Sequence, residues 1–167
     1  MEKEKQSERP MRPLSILSDK VNHLCEMTLF VLMIAMVLLT TFQIFCRLFS
    51  DALIWSEELT RFMLIGSSLI GATVAFKKGS HIAITFLVDK MGPSLKKAMA
   101  VLVQLISIFF FVVVGWYGYT IMGNMSFQTT PALGISMSWV YLMYPVFSVI
   151  VLIHLVDSFF SILRGEL

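Results

Sequence analysis

The sequence predicts an all-α integral membrane protein with four transmembrane helices, an amphipathic N-terminal segment and a short interfacial helix between spans two and three. Three observations predict it. Of 167 residues, 57% are hydrophobic and only 14% are charged, where a soluble domain carries about a quarter charged. The apolar residues gather into four runs, each long enough to cross about 30 Å of hydrocarbon. Lysine and arginine fall in alternate connections between those runs, as the positive-inside rule requires of spans that cross back and forth.

Residues 1–23 form a charged tail with Pro10 and Pro13, followed by Leu14, Leu17, Val21 and Leu24 at helical spacing beside Ser18, Asp19 and Asn22. That pattern suits either a helix lying along the membrane surface or the first turns of the next helix. Residues 24–167 form the membrane domain. Its first span covers about 26–45 and is too long and too late in the chain for a cleaved signal core. Arg47 marks its end. The second span, about 59–76, opens on Trp55-Ser56-Glu57-Glu58-Leu59-Thr60-Arg61, with Ser56 as a candidate N-cap and both carboxylates in the first turn, where the helix dipole favours them. Ile84, Leu87, Val88 and Met91 then follow the i, i+3, i+4, i+7 rule, which predicts the interfacial helix, stopped by Gly92-Pro93. The third span runs from about 98 to 123. An uncharged connection around Pro131 and Gly134 leads to the fourth, 139–163, which starts at the belt residues Trp139, Tyr141 and Tyr144 and is expected to kink at Pro145.

The basic residues set the orientation. Lys3, Lys5, Arg9, Arg12 and Lys20 precede span one; Lys77, Lys78, Lys90, Lys96 and Lys97 lie between spans two and three; Arg164 follows span four. The other two connections hold only Arg47 and Arg61. Both termini are therefore expected on the cytoplasmic side, with the Trp55–Arg61 cluster outside.

Few residues are candidates for chemistry. Arg61 lies four residues after Glu57 and three after Glu58, so one turn can hold all three. The cluster reads either as a cap with a local ion pair or as a docking site for a second protein. Ser67, Gly71 and Ala75 form a small-residue ridge that lets another helix approach closely in lipid. His154 and Asp157 share a face of span four near mid-membrane, suited to an interhelical or inter-subunit hydrogen bond or to a proton relay. Glu26 and Gln43 lie near the two ends of span one. The histidines His23, His81 and His154 do not supply paired haem ligands at facing depths. Cys25 and Cys46 are about 30 Å apart on one helix and cannot bridge. No phosphate loop, metal spacing or nucleophile motif is present, so no enzyme activity, cofactor, metal or nucleic-acid partner is expected.

The order Arg47, Trp55 to Arg61, Gly71-Ala72, then Lys77-Lys78-Gly79-Ser80-His81-Ile82, with Thr130-Pro131-Ala132-Leu133-Gly134-Ile135 before Trp139, Tyr141 and Pro145, resembles the DctQ-like small membrane subunit of tripartite ATP-independent periplasmic (TRAP) transporters. The resemblance covers most of the chain from Arg47 onward. It implies a bacterial inner-membrane protein that enlarges the fixed scaffold of a large many-span elevator subunit, in a sodium-coupled system fed with an organic acid by a periplasmic substrate-binding protein. It further implies a partner-facing role for Trp55, Glu58, Arg61 and His81. Two rivals from other classes stand beside it: a stand-alone proton-coupled exporter using Glu26 or the His154 and Asp157 pair, and a redox membrane anchor for haem or quinone.

Overall fold

The computed structural model describes residues 13–49, 53–88 and 93–163, with side chains described throughout these except at 13–14, 79–88, 93–94 and 96. The helices are α1 (Pro13–Phe49), α2 (Ile54–Val88), α3 (Pro93–Asn124), α4 (Met137–Tyr141) and α5 (Met143–Leu163). Four segments are long and apolar enough to cross a bilayer: Ser15–Phe49, Ile54–Lys78, Lys97–Asn124 and Met137–Leu163. They run up and down, so the start of α1, the lysines of α2, the start of α3 and the end of α5 share one basic end. The connection 125–136 caps the opposite, loop end.

α3 packs chiefly on α5 and α1 on α2, and the two pairs meet along α2 and α5. A small core of Phe111, Val151 and Leu155 joins α3 to α5, with Phe76 of α2 and Phe147 of α5 set edge-on to the Phe111 ring. The closest helix approach is also here. A Cβ at Gly118 would lie 2.9 Å from Tyr144 Cβ, and one at Gly115 would lie 3.2 Å from Ser148 Cβ. Elsewhere large apolar side chains face outward, among them Phe30, Phe109 and Trp116, as lipid-facing surfaces do.

The structure redraws two expectations and decides between the two readings of a third. The interfacial helix is not a separate element, because α2 continues unbroken to Val88. Lys77-Lys78-Gly79-Ser80 contains no proline, and one glycine costs a helix only about 1 kcal/mol. Pro93 opens α3 in the position that tolerates a missing N–H. The N-terminal amphipathic segment is likewise the first turns of α1. Its polar stripe faces α2 and α5 through Ser18, Asp19 and Glu26. Finally, Ser56 is not an N-cap, since α2 begins at Ile54; the Ser56 hydroxyl is fully buried and donates to Leu53 O at 2.7 Å.

In the fourth span the helical bonding is interrupted ahead of the proline. Pro145 has no N–H for the Tyr141 carbonyl and its ring crowds that group, so the helix breaks at Leu142 between α4 and α5. The next bond, Val146 N to Leu142 O, is stretched to 3.3 Å.

Candidate subunit interface

At the loop end, α2 presents Trp55, Glu57, Glu58 and Arg61, and the structure splits them. Glu57 and Arg61 form an i, i+4 pair at 3.7 Å with both side chains about two-thirds exposed. Glu58 turns the other way. Its Oε2 accepts from Ala132 N at 3.0 Å and Leu133 N at 2.8 Å. The loop it holds is folded on itself: Thr130 N donates to Ile135 O, Gly134 N donates to Thr130 O, and Met137 N donates to Gln128 O. Gly134 supplies the left-handed backbone (φ 67°) that this tight reversal requires. The carboxylate therefore neutralises two amide donors that the turn leaves without acceptors. Trp55 remains partly exposed, and Phe127 at the loop tip is 95% exposed.

The small-residue ridge is divided in the same way. Ser67 is buried, and its hydroxyl donates to Leu64 O. Gly71 lies against Leu29 of α1 at van der Waals distance, so this part of the ridge is used within the chain. Ala75 faces outward. With Glu57, Arg61, Leu64 and Ser68 it forms a continuous exposed stripe at spacings of four, three, four and seven residues, a single helix face. His81 lies in the part of α2 whose side chains are not described.

His154 is buried where α5 meets α1. It is 4% exposed, and its Nδ1 lies 2.8 Å from Ser18 Oγ. Lys77 Nζ donates to the same hydroxyl at 2.6 Å and pairs with Asp19. An ammonium can only donate, so Ser18 Oγ accepts from Lys77 while standing within hydrogen-bond distance of His154 Nδ1. One turn away, Lys78 pairs with Glu26 at 2.9 Å, and Asn22 Nδ2 donates to the same carboxylate. Instead of a mid-membrane relay, α1, α2 and α5 share a polar layer at the basic end. Asp157 is half-buried on α5 close by.

Two kinds of comparison complete the picture. A family model described as tripartite ATP-independent periplasmic transporters, DctQ component, matches residues 36–165. The chain belongs to the DctQ family. It is 30% identical over 155 residues to the sialic acid TRAP transporter small permease protein SiaQ of Vibrio cholerae, covering 90% of this chain and 88% of that one. It is 24% identical over 156 residues to a putative TRAP transporter small permease protein of Haemophilus influenzae, covering 86% and 95%. A 115-residue stretch, 67% of this chain, is 30% identical to 18% of the sialic acid TRAP transporter permease protein SiaT of Haemophilus influenzae. This DctQ-family chain is thus a small, multi-pass permease component of a transporter, not an enzyme.

Four positions that hold the bundle of the DctQ-family chain together are not apparent from its sequence. Gln104 is buried on α3 and donates to Leu155 O of α5; a glutamine in a span is a signal for such a bond. Ser138 closes the loop end by donating to Met122 O at 2.6 Å, one of the carbonyls that the end of α3 leaves open. Gly115 and Gly118, not the α2 ridge, carry the tightest helix approach.

Proposed function

We propose that this chain is the small permease subunit of a sodium-coupled TRAP transporter for organic acid uptake, with an acid of the sialic acid class as cargo. It acts as a membrane scaffold for a large many-span subunit that carries the substrate and sodium sites, and a periplasmic substrate-binding protein completes the system. Both termini and the basic end lie in the cytoplasm, and Glu57, Arg61, Phe127 and the loop face the periplasm, in keeping with the distribution of lysine and arginine. The observation that carries the reading is the fate of the polar side chains. Glu58, Ser67, Gln104, His154 and Lys77 are all spent on bonds inside the bundle. No chain of ionisable groups crosses the spans among the described residues, as a self-sufficient proton-coupled exporter would need.

A bundle locked in this way suits a part that stays still while another moves. The exposed stripe of Glu57, Arg61, Leu64, Ser68 and Ala75, with Trp55 beside it, is the surface we assign to the large subunit. The SiaT match favours the same arrangement, because there the counterpart of this chain is a small part of one longer permease polypeptide. The test is uptake of labelled sialic acid into vesicles carrying this chain, its large partner and the binding protein. Uptake that requires all three and an inward sodium gradient is the expected result; transport by this chain alone, driven by a proton gradient, would replace the proposal with the exporter.

A further inference from the structure

A groove of about 380 Å³ runs between α1, α2 and α5, from Leu59 and Met143 near the loop end past Gly66 to Cys25, Thr73 and Ile150. Its walls are apolar apart from Thr28 and Thr73, and the Thr73 hydroxyl is spent on Leu69 O. The next layer down is the polar one: Lys77 follows Thr73 by one turn, His154 follows Ile150 by one turn, and Ser18 joins them. The groove is therefore closed at the basic end and open toward the loop end. There α2 and α5 still line it, whereas α1 contributes nothing beyond Leu32.

Its dimensions select the occupant. Fourteen residues of α2 separate Leu59 from Thr73, about 21 Å at 1.5 Å per residue. Over that length a helix 10–12 Å across would fill about 1,600–2,400 Å³, more than the 970 Å³ of space between the three helices even with the open side included, so neither a partner helix nor a helix of a second copy can enter. A single hydrocarbon chain can, and at span depth the only abundant apolar chains are those of lipid. We propose that this groove is a binding site for one acyl chain of a membrane phospholipid from the leaflet on the loop side. The chain enters past Leu59 and Met143 and ends its methyl terminus against Cys25, Thr73 and Ile150. The bound chain fills the wedge between α1 and α5, which meet at Ser18 and His154, and so completes the rigid body. This proposal is independent of the cargo and of the large subunit.

The experiment uses the full chain in native membrane vesicles loaded with a phosphatidylethanolamine whose acyl chain carries a diazirine at its end. After irradiation, labelled peptides are mapped by mass spectrometry. The expected result is label concentrated at Cys25, Thr73 and Ile150, above the background on the outward face of α3 around Phe109 and Trp116. In Gly66→Phe the groove label falls roughly tenfold, the effect of losing about 1.4 kcal/mol of binding, while the α3 label is unchanged. A Cβ at Gly66 meets Met143 Sδ at an ordinary 3.6 Å, so the added ring has only the groove to occupy. Ile150→Phe, which blocks the deep end, is read in its place if Gly66→Phe does not accumulate. Groove label no stronger than on α3, or undiminished in the filled variants, would overturn the proposal.

Discussion

The two ends of this bundle are closed by opposite means. At the basic end, side chains from three helices reach across to one another: Lys77 to Asp19 and Ser18, Ser18 to His154, and Lys78 to Glu26. At the loop end one carboxylate, Glu58, holds the backbone of a distant loop, while the neighbouring Glu57 and Arg61 hold only each other. The basic end ties three helices together through several side chains; at the loop end the tie from α2 to the loop rests on Glu58, with Ser138 bonding the loop end to Met122 O of α3. A single substitution should therefore do more harm at the loop end, and the charged residues there should differ sharply in consequence.

Glu58→Ala tests the strongest form of that contrast. It leaves two amides without their acceptor, and hydrogen bonds to a charged group are worth about 1.5–3 kcal/mol each, so thermal unfolding in detergent should show a loss of about 2–3 kcal/mol. A loss below about 0.5 kcal/mol, the range of ordinary surface changes, would show that the loop holds itself. Next comes the polar layer. Ser18→Ala removes the acceptor for Lys77 and the hydrogen-bond partner of His154 Nδ1, with an expected loss of about 1–2 kcal/mol. A double-mutant cycle with His154→Phe should give a coupling of about 1 kcal/mol; strict additivity would mean that the hydroxyl serves Lys77 alone. Gln104→Met should cost about 0.6–1 kcal/mol, the usual scale for one bond between membrane helices, read from the same unfolding curves. Smallest is Glu57→Gln, expected to change stability by less than about 0.5 kcal/mol because an exposed pair is solvated and screened.

Much of the fold was legible in the sequence because it rests on hydropathy. Four apolar runs and the position of the lysines define four helices and their alternation without any knowledge of packing. Helix ends were less legible, for a local reason. The sequence Lys77 to Ser80 looks like a connection because it is polar, yet polarity does not end a helix, and α2 runs through it to Val88. The break at Leu142 is a related case, since the effect of Pro145 falls on the carbonyl four residues earlier.

The candidate site was legible as a group of residues but not in its partition. Glu57 and Glu58 are equivalent by composition and by dipole, and only the loop from Thr130 to Ile135, more than seventy residues away, separates their roles. His154 was recognisable as an interhelical polar group, but its depth depended on where α1 crosses α5. That crossing is set by Ser18 and Lys77, which no periodicity pairs. The close approach of α3 and α5 was hidden because Gly115 and Gly118 stand among aromatics.

The central claim is that a bundle satisfied within itself leaves one face of α2 for a large partner. The most direct measurement is affinity purification of the tagged chain from mild detergent, with mass spectrometry of what accompanies it. The account predicts one many-span membrane protein in fixed ratio, weakened by Arg61→Glu on the exposed stripe and unaffected by Lys20→Glu at the basic end. Recovery of the chain alone as a stable homodimer, or equal effects of the two charge reversals, would contradict it.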